Sequence, residues 1–191
     1  MFARAFHADS PRRKGPFVAL NCAAIPEGLI ESELFGYREG AFTGARRSGN
    51  VGKIQQADGG TLFLDEIGDM PPSFQARLLR VPQDRTVTPL GGTKSQPVDI
   101  KIICATNRKL RDEVAAARFR EDLYYRLNGL LLTLPPLRSR TDRTALAVSI
   151  LKTLSSEVLD LFYRHAWPGN IRQMMNVIRT ALALRDTHPL G

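Results

Sequence analysis

Cysteine is nearly absent from this chain, acids are outnumbered by bases, and no apolar run approaches the length of a membrane span. The two cysteines, Cys22 and Cys104, lie in apolar, strand-like stretches and read as reduced, buried thiols rather than a disulfide framework. A transmembrane helix needs about 20 consecutive apolar residues, which the sequence does not supply. The N-terminal stretch MFARAFHADSPRRKG lacks the apolar centre of a signal peptide, so the expected location is cytoplasmic and no membrane partner is expected. Internal repeats and low-complexity segments are also missing. What is present is a hydrophobic content of 43% in 191 residues, enough for one medium domain or a domain with a small appendage. The net charge of +8 favours polyanionic partners such as nucleotides, nucleic acid or acidic protein surfaces. The bases are scattered, and only Arg12-Arg13-Lys14 forms a run, for which a solvated face is the simpler account. Charge alone therefore gives a weak case for a basic DNA-binding protein.

Four short runs have strand character: Phe17 to Cys22, Thr61 to Leu64, Ile100 to Thr106 and Leu130 to Leu134. They are mostly continuous rather than alternating, the pattern of strands buried on both faces in a largely parallel sheet. Helical patterns separate them. Pro26 to Phe35 has proline near its start and Gly36 at its end, Pro71 to Arg80 forms another, and Glu113 to Leu127 holds two short helices. Alternating strands and helices predict an α/β layered fold. Beyond Pro135-Pro136 the chain turns polar and basic, and helical patterns then resume over 144–151, 156–164 and 171–184, the last with Asn170 as its N-cap. This divides the chain into an α/β core, 1–137, and a small helical appendage, 138–191.

The stretch GGTLFLDEIGD, residues 59–69, is the strongest chemical signal. A buried strand ends in adjacent acids, Asp65 and Glu66, where side chains of a parallel sheet open into the ligand crevice. One carboxylate can hold Mg²⁺ and its neighbour can polarise water. The alternative is a strand ending in a solvated acidic turn. Thr106 and Asn107 end the third strand and could order a water or sense a phosphate, while Asn107 could instead cap the next helix. Arg120 and Arg126 lie six apart, about 600° around a helix, so they do not share a face. One could reach a phosphate across a subunit boundary; otherwise they are exposed helix arginines. Arg172, in the first turn of the last helix, sits poorly with the helix dipole, which points to an anionic partner or to an ordinary surface arginine. EGAFTGAR, residues 39–46, places Phe42 and Thr43 between glycines, where an aromatic finds no core unless a partner buries it.

In order, GAFTGA, GGTLFLDEIGDM, CATN, FREDLYYRLN, LPPLR and WPGNIR resemble the central AAA+ ATPase domain of the NtrC-type bacterial enhancer-binding activators, which act on RNA polymerase carrying sigma-54. The resemblance covers residues 1 to about 138 closely and about 155 to 185 more loosely. It implies a P-loop NTPase-like sheet with a helical lid. It implies that Gly40, Ala41, Phe42, Thr43, Gly44 and Ala45 form the sigma-54-contacting loop, with Phe42 and Thr43 at the tip and the glycines as hinges. It assigns Asp65 to Mg²⁺, Glu66 to water activation and Asn21 to a switch with Glu66. Thr106 and Asn107 would sense the γ-phosphate of ATP, Arg120 and Arg126 would act in trans in a ring oligomer, and Arg172 would be the lid's sensor arginine. DNA is then engaged only indirectly, since no helix-turn-helix is visible.

Against that pattern, the phosphate loop G-x-x-x-x-G-K-[ST] does not occur in these residues. Nor does the strand that precedes it, which in this fold class lies between those at Ile100–Thr106 and Leu130–Leu134. Backbone N–H groups of that loop and its lysine supply most of the phosphate cradle, so ATP binding is expected to be weak or absent and hydrolysis negligible. Pro82 is expected to end or kink its helix. The stretch from Leu137 to Trp167 is shorter than the family's lid, and the sequence reads as a truncated copy. A non-catalytic module that binds sigma-54 or modulates intact homologues is the rival expectation.

Overall fold

Every apolar strand run needs neighbours to satisfy its backbone, and Thr61–Asp65 finds them on both sides. The computed structural model describes residues 2–143, 145–146, 160 and 162–187. They form α1 (Phe2–Ala8), β1 (Phe17–Asn21), α2 (Glu27–Phe35), β2 (Gly36–Tyr37), β3 (Asn50–Val51), α3 (Lys53–Gln56), β4 (Thr61–Asp65), α4 (Pro72–Asp84), β5 (Thr86–Val87) and β6 (Gln96–Pro97). Then follow β7 (Lys101–Cys104), α5 (Leu110–Ala115), α6 (Glu121–Leu127) and the long α7 (Asn170–Thr187). The chain divides into two compact units, Met1–Leu130 and Leu131–Gly191.

The first unit is built on a three-stranded parallel sheet in the order β1-β4-β7. Leu62 and Leu64 of β4 are fully buried and Thr61 nearly so, as a central strand covered on both faces requires. The hydroxyl of Thr61 lies 2.9 Å from Nδ1 of the buried His7, tying α1 to the sheet. Registers Asn21↔Asp65 and Leu64↔Cys104 align the carboxyl ends of the three strands. Pairing continues past them: Cys22 N–H donates to Asp65 O, Ala105 N–H to Leu64 O, and Ile67 N–H to Ala105 O. Around the sheet, Ile30, Leu34, Ile54, Leu78 and Leu123 are buried to 1% or less and bind the helices to it, each burial contributing about 1.5–3 kcal/mol.

The three strands, α2 and the two short helices match the sequence reading, and the architecture is the expected mixed α/β fold with a parallel sheet. The fourth strand does not: Leu130 to Leu134 pairs with nothing among the described residues, and Leu130, Leu131, Leu132 and Leu134 are 71%, 76%, 51% and 62% exposed. An apolar run becomes a strand only where an edge accepts its hydrogen bonds. Helix α4 also outruns the expectation for Pro82, continuing two residues beyond it to Asp84 before Arg85 (φ 53°) stops it. Proline in a last turn forfeits one bond only, and the guanidinium of Arg126 binds the Pro82 carbonyl at 2.8 Å.

In the second unit a small core gathers Leu137, Trp167, Met174 and Ile178, with Trp167 Nε1 donating to Phe162 O at 2.8 Å. Most of the helices expected over 144–151 and 156–164 lies outside the described residues. The expected cap, Asn170, has φ 52° and turns its side-chain oxygen to Leu137 N–H at 2.6 Å. Among the described residues, no helix is long and apolar enough to cross a membrane.

Candidate functional site

Asp65 is the last residue of β4, and Glu66 follows in the left-handed region at φ 52°, ψ 47°. A non-glycine residue held there is strained, and such strain gathers at functional sites. The turn carries the Glu66 carboxylate to the backbone N–H of Asn107, 3.2 Å from Oε2. Close approach of the two segments depends on Gly68, where a Cβ would stand 2.8 Å from Thr106 Oγ1 and 3.2 Å from Arg108 Cδ. The sheet therefore brings Asp65, Glu66, Thr106 and Asn107 to one strand end, as the sequence predicts. Asn107 meets Glu66 through its backbone rather than its side chain. It does not cap α5 either; Lys109 holds that position. Thr106 Oγ1 accepts from Arg108 N–H at 3.1 Å. Asn21 stands beside Asp65 in the register, but its side-chain oxygen is occupied by the N–H groups of Ala23 and Ala24 at 2.9 and 3.2 Å.

A charged network extends from this corner. Arg108 pairs with Asp69 and with Glu113 (3.4 Å), and Glu113 accepts a two-pronged contact from Arg118 at 2.7 and 3.0 Å. Arg118, and then Arg108, hold the Glu113 carboxyl below the usual range. None of these residues was singled out from the sequence. Asp69 and Arg108 sit within three residues of singled-out groups, but their partnership spans 39 positions and has no local signal. Gln75, fully buried on α4, was also missed. Its signal is a polar residue on a helical stripe that continues with Leu78.

The thiols flank the acids. Burial, reinforced by Asp65 and Asp69, pushes Cys22 up to about 12. Burial also raises Cys104 to about 12. Both cysteines are free, as expected.

Arg120 and Arg126 occupy opposite ends of α6. Arg120 precedes the helix and grips Asp122 with two hydrogen bonds of 3.0 and 2.7 Å, which lowers the Asp122 carboxyl. Arg126 lies in the last turn, bound to Pro82 O. Both guanidiniums are thus engaged within their own chain. In the second unit, the exposed Arg172 borders a cleft of about 500 Å³ between residues 134–137 and 169–172.

The loop over residues 38–49 is the tip of the β2–β3 hairpin (Gly36↔Val51, Tyr37↔Asn50). It is a succession of tight turns, with Ala41 N–H donating to Arg38 O, Ala45 N–H to Phe42 O and Gly49 N–H to Arg46 O. Gly40 and Gly44 have φ 74° and 89° with nothing near where a Cβ would be, so glycine is required there by backbone conformation rather than crowding. Phe42 is 42% exposed, its ring set edge-on to Tyr37 at 5.0 Å. The hairpin base is tied to the β5–β6 turn by Arg38 N–H to Leu90 O and Leu90 N–H to Gly36 O.

Residues 1–133 match the sigma-54 interaction domain, and residues 141–191 match an AAA+ ATPase lid domain. The acetoin catabolism regulatory protein of Cupriavidus necator is 53% identical over 95% of this chain and 29% of its own length. The Nif-specific regulatory protein of Azotobacter vinelandii is 48% identical over 97% of this chain and 38% of its own. The chain thus spans well under half the length of these relatives. The crystal structure of NtrX from Brucella abortus in complex with ATP superposes with a TM-score of 0.85 at 35% identity, covering 96% of this chain and 42% of NtrX. The fold, the acid-ended strand, the glycine-bordered loop and these matches agree: this chain belongs to the sigma-54 interaction domain family, and its residues 141–191 match the AAA+ ATPase lid domain.

Proposed function

We propose that this chain engages sigma-54 RNA polymerase through residues 40–45, with Phe42 and Thr43 as the contacting tip, as one member of a ring of like subunits. The observation that carries this reading is Phe42: a large aromatic left 42% exposed between two glycines of positive φ is a binding anchor awaiting a partner. In the ring, Asp65 would hold Mg²⁺, Glu66 would orient a water, and Thr106 and Asn107 would face the γ-phosphate of ATP. Asn21 couples to Glu66, Arg120 and Arg126 serve a neighbouring subunit's nucleotide, and Arg172 senses nucleotide from the lid.

Strand-end acids beside Thr106 and Asn107 fit a Mg²⁺ that takes one carboxylate, waters and phosphate oxygens. The bound metal would neutralise charge on the phosphates. These 191 residues contain no G-x-x-x-x-G-K-[ST] cradle, so this polypeptide alone binds ATP weakly and hydrolyses it negligibly. That favours a second reading, a module that joins or poisons rings of intact relatives without turning over ATP itself. Two measurements test these readings. Pull-down of sigma-54 should fall at least about tenfold with Phe42→Ala, as for an aromatic hot spot, and unchanged capture defeats the loop assignment. Calorimetric titration with Mg·ATP should give no micromolar affinity, and finding one overturns the expectation of weak ATP binding.

A further inference from the structure

Gln75 is fully buried in the first half of α4, on a face it shares with Leu78. Buried amides are retained where backbone groups need them. Here Nε2 donates to Met70 O at 2.7 Å and to Arg118 O at 3.0 Å, while Oε1 accepts from Arg120 N–H at 2.8 Å. Two carbonyls demand the NH₂ end and one N–H demands the oxygen, so a single orientation satisfies all three. Met70 closes the turn that follows Asp65 and Glu66, and Arg118 and Arg120 bracket Phe119 just before α6. The charged chain Asp69–Arg108–Glu113–Arg118 joins the same two segments by a separate route.

We propose that Gln75 is a positioning residue: its amide fixes the backbone of Arg120 against the acid-bearing turn and so sets where that guanidinium starts its reach. The proposal rests on the reading of Arg120 as a group that serves a neighbouring subunit. A guanidinium on a long, exposed side chain is useful across an interface only if its backbone anchor is fixed, because small misplacements cost large factors in rate. The buried amide supplies that anchor through its oxygen, while its NH₂ group meets the Met70 and Arg118 carbonyls.

The atoms involved give a test specific to one hydrogen bond. In this chain, backbone amide exchange at Arg120 is measured by NMR in Gln75→Met, which keeps the volume and loses the polar atoms, and in Gln75→Glu, whose protonated form keeps the acceptor for Arg120 N–H and donates its proton to a carbonyl. Gln75→Met should speed Arg120 exchange at least about tenfold relative to Leu62 and Leu64 of β4, and Gln75→Glu should leave it slow. Unchanged exchange in Gln75→Met, or equal acceleration at β4, overturns the proposal. If Gln75→Met does not fold, Gln75→Leu takes its place, with faster Arg120 exchange supporting the proposal and unchanged exchange overturning it. A second arm mixes this chain with an intact, ring-forming relative. There, Gln75→Met and Arg120→Ala should each lower turnover without changing KM, and the double substitution should do no more than either. Gln75→Met without effect while Arg120→Ala lowers turnover overturns the proposal. Arg120→Ala without effect defeats the subunit-crossing role of Arg120 instead, and the exchange measurement still decides whether Gln75 holds its backbone.

Discussion

The acid end of the sheet and the glycine-bordered hairpin tip are built on opposite plans. At the acid end, Glu66, Asp69, Arg108, Glu113 and Arg118 all have partners, Gln75 is saturated by backbone, and Gly68 has no room for a methyl group. At the hairpin tip, Gly40 and Gly44 face open space and the Phe42 ring, 42% exposed, sits edge-on to Tyr37. A site that orients water and phosphate needs groups fixed before the ligand arrives. A surface that docks on another protein needs an anchor that is still exposed. The same 191 residues meet both needs by spending their polar contacts in one place and withholding them in the other.

Thiol chemistry should expose the contrast most strongly. Cys22, raised to about 12, should alkylate at pH 8 about a thousandfold more slowly than an unperturbed thiol, because only thiolate reacts. A cysteine introduced at the tip by Thr43→Cys should react at the ordinary rate, and equal rates at both sites would erase the distinction. Truncation should separate the regions next. Leu64→Ala in the buried strand should cost about 2–5 kcal/mol in denaturant unfolding. Phe42→Ala should stay within about 0.5 kcal/mol while weakening sigma-54 capture. A smaller effect is expected from Gly44→Ala, about 1 kcal/mol from the positive φ alone, with no clash to relieve. The mildest effect is a pH dependence. Arg118 and Arg108 lower the folded-state carboxyl of Glu113, so its contribution to stability is present above the ordinary carboxylate range. That contribution is lost as pH falls through the lowered value. Glu113→Gln should therefore flatten the acid limb of a stability-versus-pH curve.

How much of this was legible follows from range. Phe17 to Cys22, Thr61 to Leu64 and Ile100 to Thr106 declare themselves because continuous apolar runs in this length range have few other uses, and the acids at 65–66 stand out against one. Leu130 to Leu134 carries the same composition yet forms no strand, since a strand also needs an edge at the right place, which composition does not record. The two-residue strands β2, β3, β5 and β6 are too short for any period to show. At the site, side chains were legible and backbone contacts were not: Asn107 reaches Glu66 through its N–H, which every residue but proline possesses. Arg126 reads as an outward-reaching cation but hooks a carbonyl 44 residues away. Gln75 is legible only in hindsight, as the polar member of a buried stripe.

The outer edge of β7 has further reach. Lys101–Cys104 pairs only with β4 among the described residues, leaving one side of a short, partly apolar strand with open amides and carbonyls. Such an edge is a template for any extended peptide that drifts alongside it.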